Sequence, residues 1–114
     1  MSEIILFVAD FRLGTKITEA LAYLNQPVKF ADGERFGLSD VDENTEMIII
    51  DLDDSVFQTV AFVSGLRSMN KDLRIIGYMK TIHKETYERL KSAGCDVILP
   101  RSSFVKNIRT LISE

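Results

Sequence analysis

Four short segments, Ile4–Val8, Met47–Ile50, Arg74–Tyr78 and Val97–Leu99, are rich in β-branched residues, and the strongest of them are apolar without a break. A strand with one wet face alternates apolar and polar side chains, because successive side chains point to opposite faces. A strand without that alternation has to be covered on both sides, which is the condition of parallel sheets clothed by helices. A shorter candidate strand, Val28–Ala31, lies between the first two.

Between these strands the apolar period becomes helical. Ile17, Ala20, Leu21 and Leu24 recur at i, i+3, i+4 and i+7, and Pro27 closes that segment. Phe57, Val60, Ala61, Val63 and Leu66 form a second pattern, apolar around much of its circumference and so expected to be heavily buried. A third runs from about His83 to Ser92, with Tyr87 and Leu90 facing in and Gly94 ending it. Ser102 or Ser103 is the expected cap of the last helix, striped by Phe104, Ile108 and Leu111. The stretch from Asp32 to Glu46 carries Gly33, Gly37 and several turn-forming residues, with only Phe36, Leu38 and Val41 to bury; any helix there is short and irregular.

Alternating strands and helices with short connections imply right-handed crossovers. The expected fold is α/β: a three-layer, doubly wound, five-stranded parallel sheet of the flavodoxin-like type, strand order 2-1-3-4-5, forming a single domain over residues 1–114. In such sheets ligands and chemistry gather at the carboxyl ends of the strands, where the order reverses between strands 1 and 3. Asp10 follows strand 1 and Asp51 ends strand 3, so the two carboxylates are expected to meet there.

The bulk numbers narrow the function. A length of 114 residues allows one core, and 46% hydrophobic with 27% charged residues is ordinary for a globular chain. With a net charge of −3 and scattered Lys and Arg, nothing attracts nucleic acid or an anionic membrane. The apolar run Ile4–Ala9 is too short to span a bilayer and lacks a basic leader. The lone cysteine, Cys95, permits no internal disulfide, which fits a reducing compartment. The reading is a whole, one-domain cytoplasmic protein.

The segments "IILFVADF", "MIIIDLDD", "RIIGYMK" and "AGCDVILPRSSF", taken in order and spacing, resemble the receiver domain of bacterial two-component response regulators over nearly the whole chain. The last is the most specific: a small residue, Gly and Asp before a strand, then Pro, a basic residue and a helix start. The resemblance implies that Asp51 falls on the phosphoryl-accepting aspartate and Asp10 on the second of the paired acids that hold Mg²⁺. It places Asp53 where a backbone carbonyl completes the metal site, and Mg²⁺ is the one cofactor it implies. Several positions depart from the family pattern. Ala9 replaces the first acid, Met79 replaces a Thr or Ser hydroxyl, and Arg101 replaces a near-universal Lys. Ser102 replaces the proline commonly found next, and Tyr78 stands where a smaller aliphatic residue is usual. The strand-5 position of the family's switching aromatic falls near Ile98.

These departures carry chemical consequences. Phosphoryl transfer depends on positioning and charge neutralisation. Mg²⁺ tolerates one or two carboxylates plus waters, so Asp10, Asp51 and the carbonyl of Asp53 form a weak candidate site. Arg101 keeps a positive charge, but its planar fork does not sit where a compact ammonium would. Met79 offers no donor to a phosphoryl oxygen. The expectation is a stand-alone receiver-like signalling module, not an enzyme, that acts by protein–protein interaction without the usual phosphorylation switch. The alternative is an atypical but functional Mg-dependent acceptor at Asp51 within a phosphorelay. A third reading is a small flavodoxin-like cofactor-binding protein, for which the turn "DFRLGTKI" offers only Gly14 and Thr15 as a phosphate cradle and Arg12 where a cobalamin carrier would have histidine.

Implied partners are a histidine kinase, a downstream effector, or a second copy docking on the fourth and fifth of the expected helices with strand 5, where Lys91, Asp96, Lys106 and Arg109 would supply mixed charge. Plainer readings stand beside several residues. Asp51, Asp53 and Asp54 would also suit the start of a helix from Ser55. Arg101 is the expected partner of Asp51, as ion pair or as phosphate clamp. His83 is expected at an exposed helix start without a second ligand, and Cys95 as a small buried hydrophobe. Tyr78, Met79 and Ile82 suit either the core or an exposed docking patch.

Overall fold

A computed structural model describes residues 3–8, 10–22, 27–31, 41, 43–54 and 57–113. Five strands, β1 (Glu3–Phe7), β2 (Val28–Phe30), β3 (Thr45–Asp51), β4 (Arg74–Met79) and β5 (Val97–Pro100), form one sheet in the order β2-β1-β3-β4-β5. Every pairing is parallel. The expected order 2-1-3-4-5 is therefore observed. β3 begins at Thr45, two residues before the apolar run, and the ladder with β1 shifts register between Glu3 and Ile4.

The unbroken apolar runs become intelligible as two half-sets. Ile5, Phe7, Ile48, Ile50, Ile75 and Met79 point to one face and pack with Phe62, Val63, Leu66 and Leu90. Ile4, Leu6, Met47, Ile49, Ile76 and Tyr78 point to the other and pack with Leu13, Ile17, Leu21, Phe104 and Ile108. Ile5, Leu6, Ile48, Ile49 and Ile50 are all completely buried. Each aliphatic side chain so enclosed contributes about 1.5–3 kcal/mol of burial free energy.

Helix α1 (Phe11–Leu21) starts directly after β1, with the Asp10 carboxylate accepting hydrogen bonds from the backbone N–H groups of Arg12 and Leu13. It begins well before Ile17, so Gly14 and Thr15 lie inside a helix rather than in a turn. Leu24, Phe36 and Leu38 fall outside the described residues, as do Ser55 and Ala9; Val41 is buried against the first core. Helix α2 (Val60–Met69) is capped by Thr59, whose hydroxyl accepts from the Phe62 N–H at 3.1 Å. Phe57 is not helical. It sits in the turn before α2 and meets Phe7 edge to face, with ring centroids 5.6 Å apart. Val60 and Ala61 are exposed, so α2 buries one stripe, Phe62, Val63 and Leu66, instead of most of its girth.

Helix α3 (Lys84–Ala93) ends at Gly94, whose φ of 124° is a conformation that L side chains rarely adopt. His83 precedes it, exposed and making no side-chain cap bond. The last helix is divided. Helix α4 (Arg101–Lys106) follows β5 with no intervening cap serine, stops at Asn107, and α5 (Ile108–Ser113) continues the stripe. The hydroxyls of Ser102 and Ser103 are thus inside α4, not at its start. Among the described residues no helix is long and apolar enough to cross a membrane.

The "AGCD" stretch has a structural task at the amino end of β5. Arg67 of α2 donates to the carbonyls of Gly94, Lys71 and Leu73 and pairs with the Asp96 carboxylate at 2.7 Å. Asp96 also accepts from the Ile75 N–H at 2.8 Å, and its own N–H donates to the Ile75 carbonyl at 2.9 Å. Lys91 donates to the Asp96 carbonyl at 2.6 Å. Two of the four charges assigned to a docking face, Lys91 and Asp96, are therefore engaged within the chain. Cys95 lies buried behind this staple, with its thiol pushed up to about 12, chiefly by desolvation.

Truncating Arg67 strands several carbonyls at once, and an unsatisfied buried acceptor costs about 1–3 kcal/mol. Arg67→Ala is expected to lower the stability of the chain by about 2 kcal/mol, read as a lower denaturant midpoint at unchanged slope. A change within error would show that water replaces the guanidinium without loss.

Candidate functional site

Three acids and one guanidinium sit where β1, β3 and β5 end. Asp51 is the last residue of β3 and only 7% exposed. Side chains alternate along a strand, so Asp51 follows Met47 and Ile49 onto the face that carries α1 and α4. Its Cα pairs in register with that of Tyr78. One Asp51 oxygen, Oδ1, accepts from the Asp53 N–H at 2.9 Å. Burial raises the Asp51 carboxyl above the ordinary aspartate value; the Asp53 N–H opposes this, the Asp53 charge adds to it, and Arg101 acts in the lowering direction.

Asp10 is engaged on both sides. Its Oδ1 caps α1 and its Oδ2 accepts from the Arg101 guanidinium at 2.8 Å. The α1 backbone and Arg101 hold its carboxyl below the usual value. Arg101, then, pairs with Asp10 across the tips of β1 and β5, not with Asp51 as the sequence suggested. The reason is geometric: Asp10 turns inward to cap α1, and Arg101, opening α4, packs alongside that helix start. Asp53 is turned elsewhere, both of its carboxylate oxygens accepting from the Lys80 N–H at 3.1 and 3.0 Å. Nor do the three acids open a helix, since α2 begins at Val60 with its own cap.

Tyr78 and Met79 settle into the core rather than an exposed patch, with Ile82 half-buried against it. Met79 is packed in the same apolar cluster as Ile98, and Tyr78 lies on the opposite face, stacked on Phe104 with centroids 4.8 Å apart. The Tyr78 hydroxyl is buried without a hydrogen-bond partner among the described residues. Desolvation pushes its ionisation strongly up, and the charges of Asp51, Arg101, Asp10 and Asp53 all reach it. In the sequence Tyr78 reads as an oversized residue suited to the core or to a docking patch, not as a buried hydroxyl beside Asp51. The signal that exposes it is the strand period, two residues per face, combined with the register of β3 on β4. Gly77, paired with Ile50, admits the Leu52 side chain, which would lie 2.5 Å from any Cβ placed there.

Two open hollows flank Arg101. One of about 690 Å³ is lined by Lys80, Arg101, Ser102, Val105 and Lys106. A smaller one of about 340 Å³ is lined by Asp10, Arg12, Leu13, Lys16, Arg101 and Val105. Among the described residues, no three His, Cys, Asp or Glu side chains gather closely enough to hold a metal ion. The Mg²⁺ that the resemblance implies does not fit these residues as they are placed. Both oxygens of Asp10 and both of Asp53 are already bonded, which leaves Asp51 Oδ2 as the one carboxylate oxygen of the three without a hydrogen bond among the described residues.

Two consequences are measurable. A carboxyl whose folded value is raised binds its proton more tightly folded than unfolded, so Asp51 opposes folding increasingly as pH rises through that value. Asp51→Asn is expected to be more stable than the wild type at pH 7, with the gap in thermal midpoint closing as pH falls toward 3.8; a gap independent of pH would contradict the assignment. Tyr78→Phe removes a buried hydroxyl that has no partner. It is expected to stabilise the chain by about 1 kcal/mol, whereas a loss of stability in chemical denaturation would reveal a bond that this hydroxyl makes.

No family model matches the chain, and no curated protein matches it in sequence. Solved structures do. The beryllium-fluoride-activated DrrB receiver domain superposes with a TM-score of 0.81 at 18% identity, covering 99% of this chain and 95% of that one. A response regulator from Thermotoga maritima gives a TM-score of 0.74 at 12% identity over 100% and 99% of the two chains. A CheY-like response regulator from Mesorhizobium loti gives 0.73 at 14% identity over 98% and 96%. At such identities the likeness speaks of backbone alone, and on that ground the chain has the fold of a response-regulator receiver domain.

Proposed function

We propose that this chain is a receiver-like signalling module that acts through protein–protein contact, without the usual phosphorylation switch. The observation that carries the reading is the packing of Met79 and Ile98 together as ordinary apolar core. In the receivers that the sequence resembles, these positions hold a hydroxyl and an aromatic ring that move when the aspartate is modified. A thioether and a branched aliphatic chain in a close-packed interior have neither a donor to offer nor a place to move. The pairing of Arg101 with Asp10 supports the same reading, since it withdraws the cation from the acceptor position.

A second reading, an atypical phospho-acceptor, is favoured by Asp51 itself. Its Oδ2, which makes no hydrogen bond among the described residues, is a carboxylate nucleophile at a strand tip, and Arg101 and Lys80 lie at the same edge of the sheet. The cofactor-carrier reading has less support. The α1 N–H groups of Arg12 and Leu13, which a phosphate would use, are occupied by Asp10. The partner we assign is a histidine kinase or downstream effector, or a second copy, docking on α3, β5 and the α4–α5 pair.

Incubation of the chain with Mg²⁺ and a small phospho-donor, followed by intact-mass measurement, separates the first two readings. The expected result is an unchanged mass. A reversible gain of one phosphoryl group, absent in Asp51→Asn, would replace the contact-only module with the phospho-acceptor.

A further inference from the structure

We propose that Arg101 is the resident cation of the strand-tip site: its guanidinium takes the place of a divalent metal against Asp10, and removing it opens a divalent-cation site on Asp10 and Asp51. The inference rests on the reading above in one respect, that these acids descend from a metal-binding arrangement. The hydrogen bonds at the strand tips support it directly. Asp10 Oδ1 is spent on the start of α1, so Oδ2 is the oxygen with which it would hold an ion, and that oxygen accepts the Arg101 guanidinium at 2.8 Å. Asp53 cannot compensate, because both of its oxygens cap the Lys80 N–H. Asp51 Oδ2, which makes no hydrogen bond among the described residues, then faces an Asp10 whose outer oxygen is already taken by a cation.

The surroundings point the same way. The hollows on either side of Arg101 are lined by Arg12 and Lys16 on one side and by Lys80 and Lys106 on the other. A divalent ion entering between them would have to break the Arg101–Asp10 pair. It would then sit beside a guanidinium that cannot shed its proton, with further positive charge around the rim. The tether makes the comparison one-sided, because a side chain anchored at the first residue of α4 is present at a fixed high effective concentration whatever the metal supply. With the guanidinium gone, Asp10 Oδ2 and Asp51 Oδ2 become two carboxylate ligands, and the carbonyl of Asp53 and waters can complete an octahedron.

The test uses Mn²⁺ as probe, with water-proton relaxation as readout, on the intact chain. Wild-type protein is expected to give no saturable enhancement through the millimolar range. Arg101→Ala, and Arg101→Gln as a milder form that keeps a polar but uncharged side chain, are each expected to gain one saturable site at least about tenfold tighter than any wild-type binding. That gain is expected to vanish when Asp51→Asn is added. Saturable one-to-one binding by the wild type that Asp10→Asn or Asp51→Asn abolishes overturns the inference by itself, whether or not the Arg101 variants fold. Folded Arg101 variants that bind no better than wild type overturn it as well. The two proposals fail separately: wild-type Mn²⁺ binding without phosphoryl gain sinks the resident cation and spares the contact module, while metal-independent phosphorylation of Asp51 does the reverse.

Discussion

A parallel sheet enclosed on both faces has nowhere to keep a polar side chain except at the ends of its strands. That constraint governs this molecule. Between Thr45, which opens β3, and Asp51, which ends it, every buried residue of that strand is apolar, and the first buried charge along β3 is Asp51. A carboxylate one residue earlier would face the opposite core with no water and no cation, at a cost of several kcal/mol. At the tip it has the Asp53 N–H on one oxygen and the edge of the sheet before it. The site's location is thus a consequence of how the core is closed, before any function is considered.

The two ends of the sheet use charge differently. At the amino end of β5, Arg67 and Asp96 are tied into main-chain groups from α2, β4 and the Gly94 turn, so the pair acts as a clasp between elements. At the carboxyl end, Arg101 and Asp10 join only the starts of α1 and α4. Their side chains are 29% and 37% exposed, and an ion pair so open to water is screened and contributes little to stability. The carboxyl-end pair is better understood by what it occupies than by what it holds together.

The parallel sheet, its order, and the strand bounds to within one or two residues were readable in the sequence, because unbroken β-branched runs and short connections leave few alternatives. Asp10, Asp51 and Arg101 were correctly placed at one end by the same logic. The partner of Arg101 was not, because pairing among neighbouring strand tips is decided by which carboxylate turns inward to cap a helix, a matter of a few ångströms that spacing does not encode. The helix boundaries at Phe11, Val60 and Arg101 were missed for a related reason. In the sequence Asp10 reads as a site acid and Thr59 lies inside the apolar pattern that starts at Phe57, so neither stands out as a cap, and Arg101 starts α4 without a side-chain cap of any kind.

Gly77, Tyr78 and Met79 are best understood together. Tyr78 is large for its place beside Asp51, yet it is fully buried and stacked on Phe104, so α4 and β4 meet through two aromatic rings instead of through a small residue. On the other face Gly77 leaves the space that Leu52, the residue after Asp51, fills completely. Met79 then closes the end of that core with a flexible thioether, the side chain most able to follow an irregular wall. A side chain at position 77 would clash with Leu52, and a smaller residue at position 78 would leave a void against Phe104, each costing on the order of 1–3 kcal/mol. Taken together, these residues lock the strand that carries Met79 between two filled cores. A strand end packed so tightly on both faces is poorly suited to move in response to one added charge, and that packing is the physical ground for reading the chain as a surface for partners.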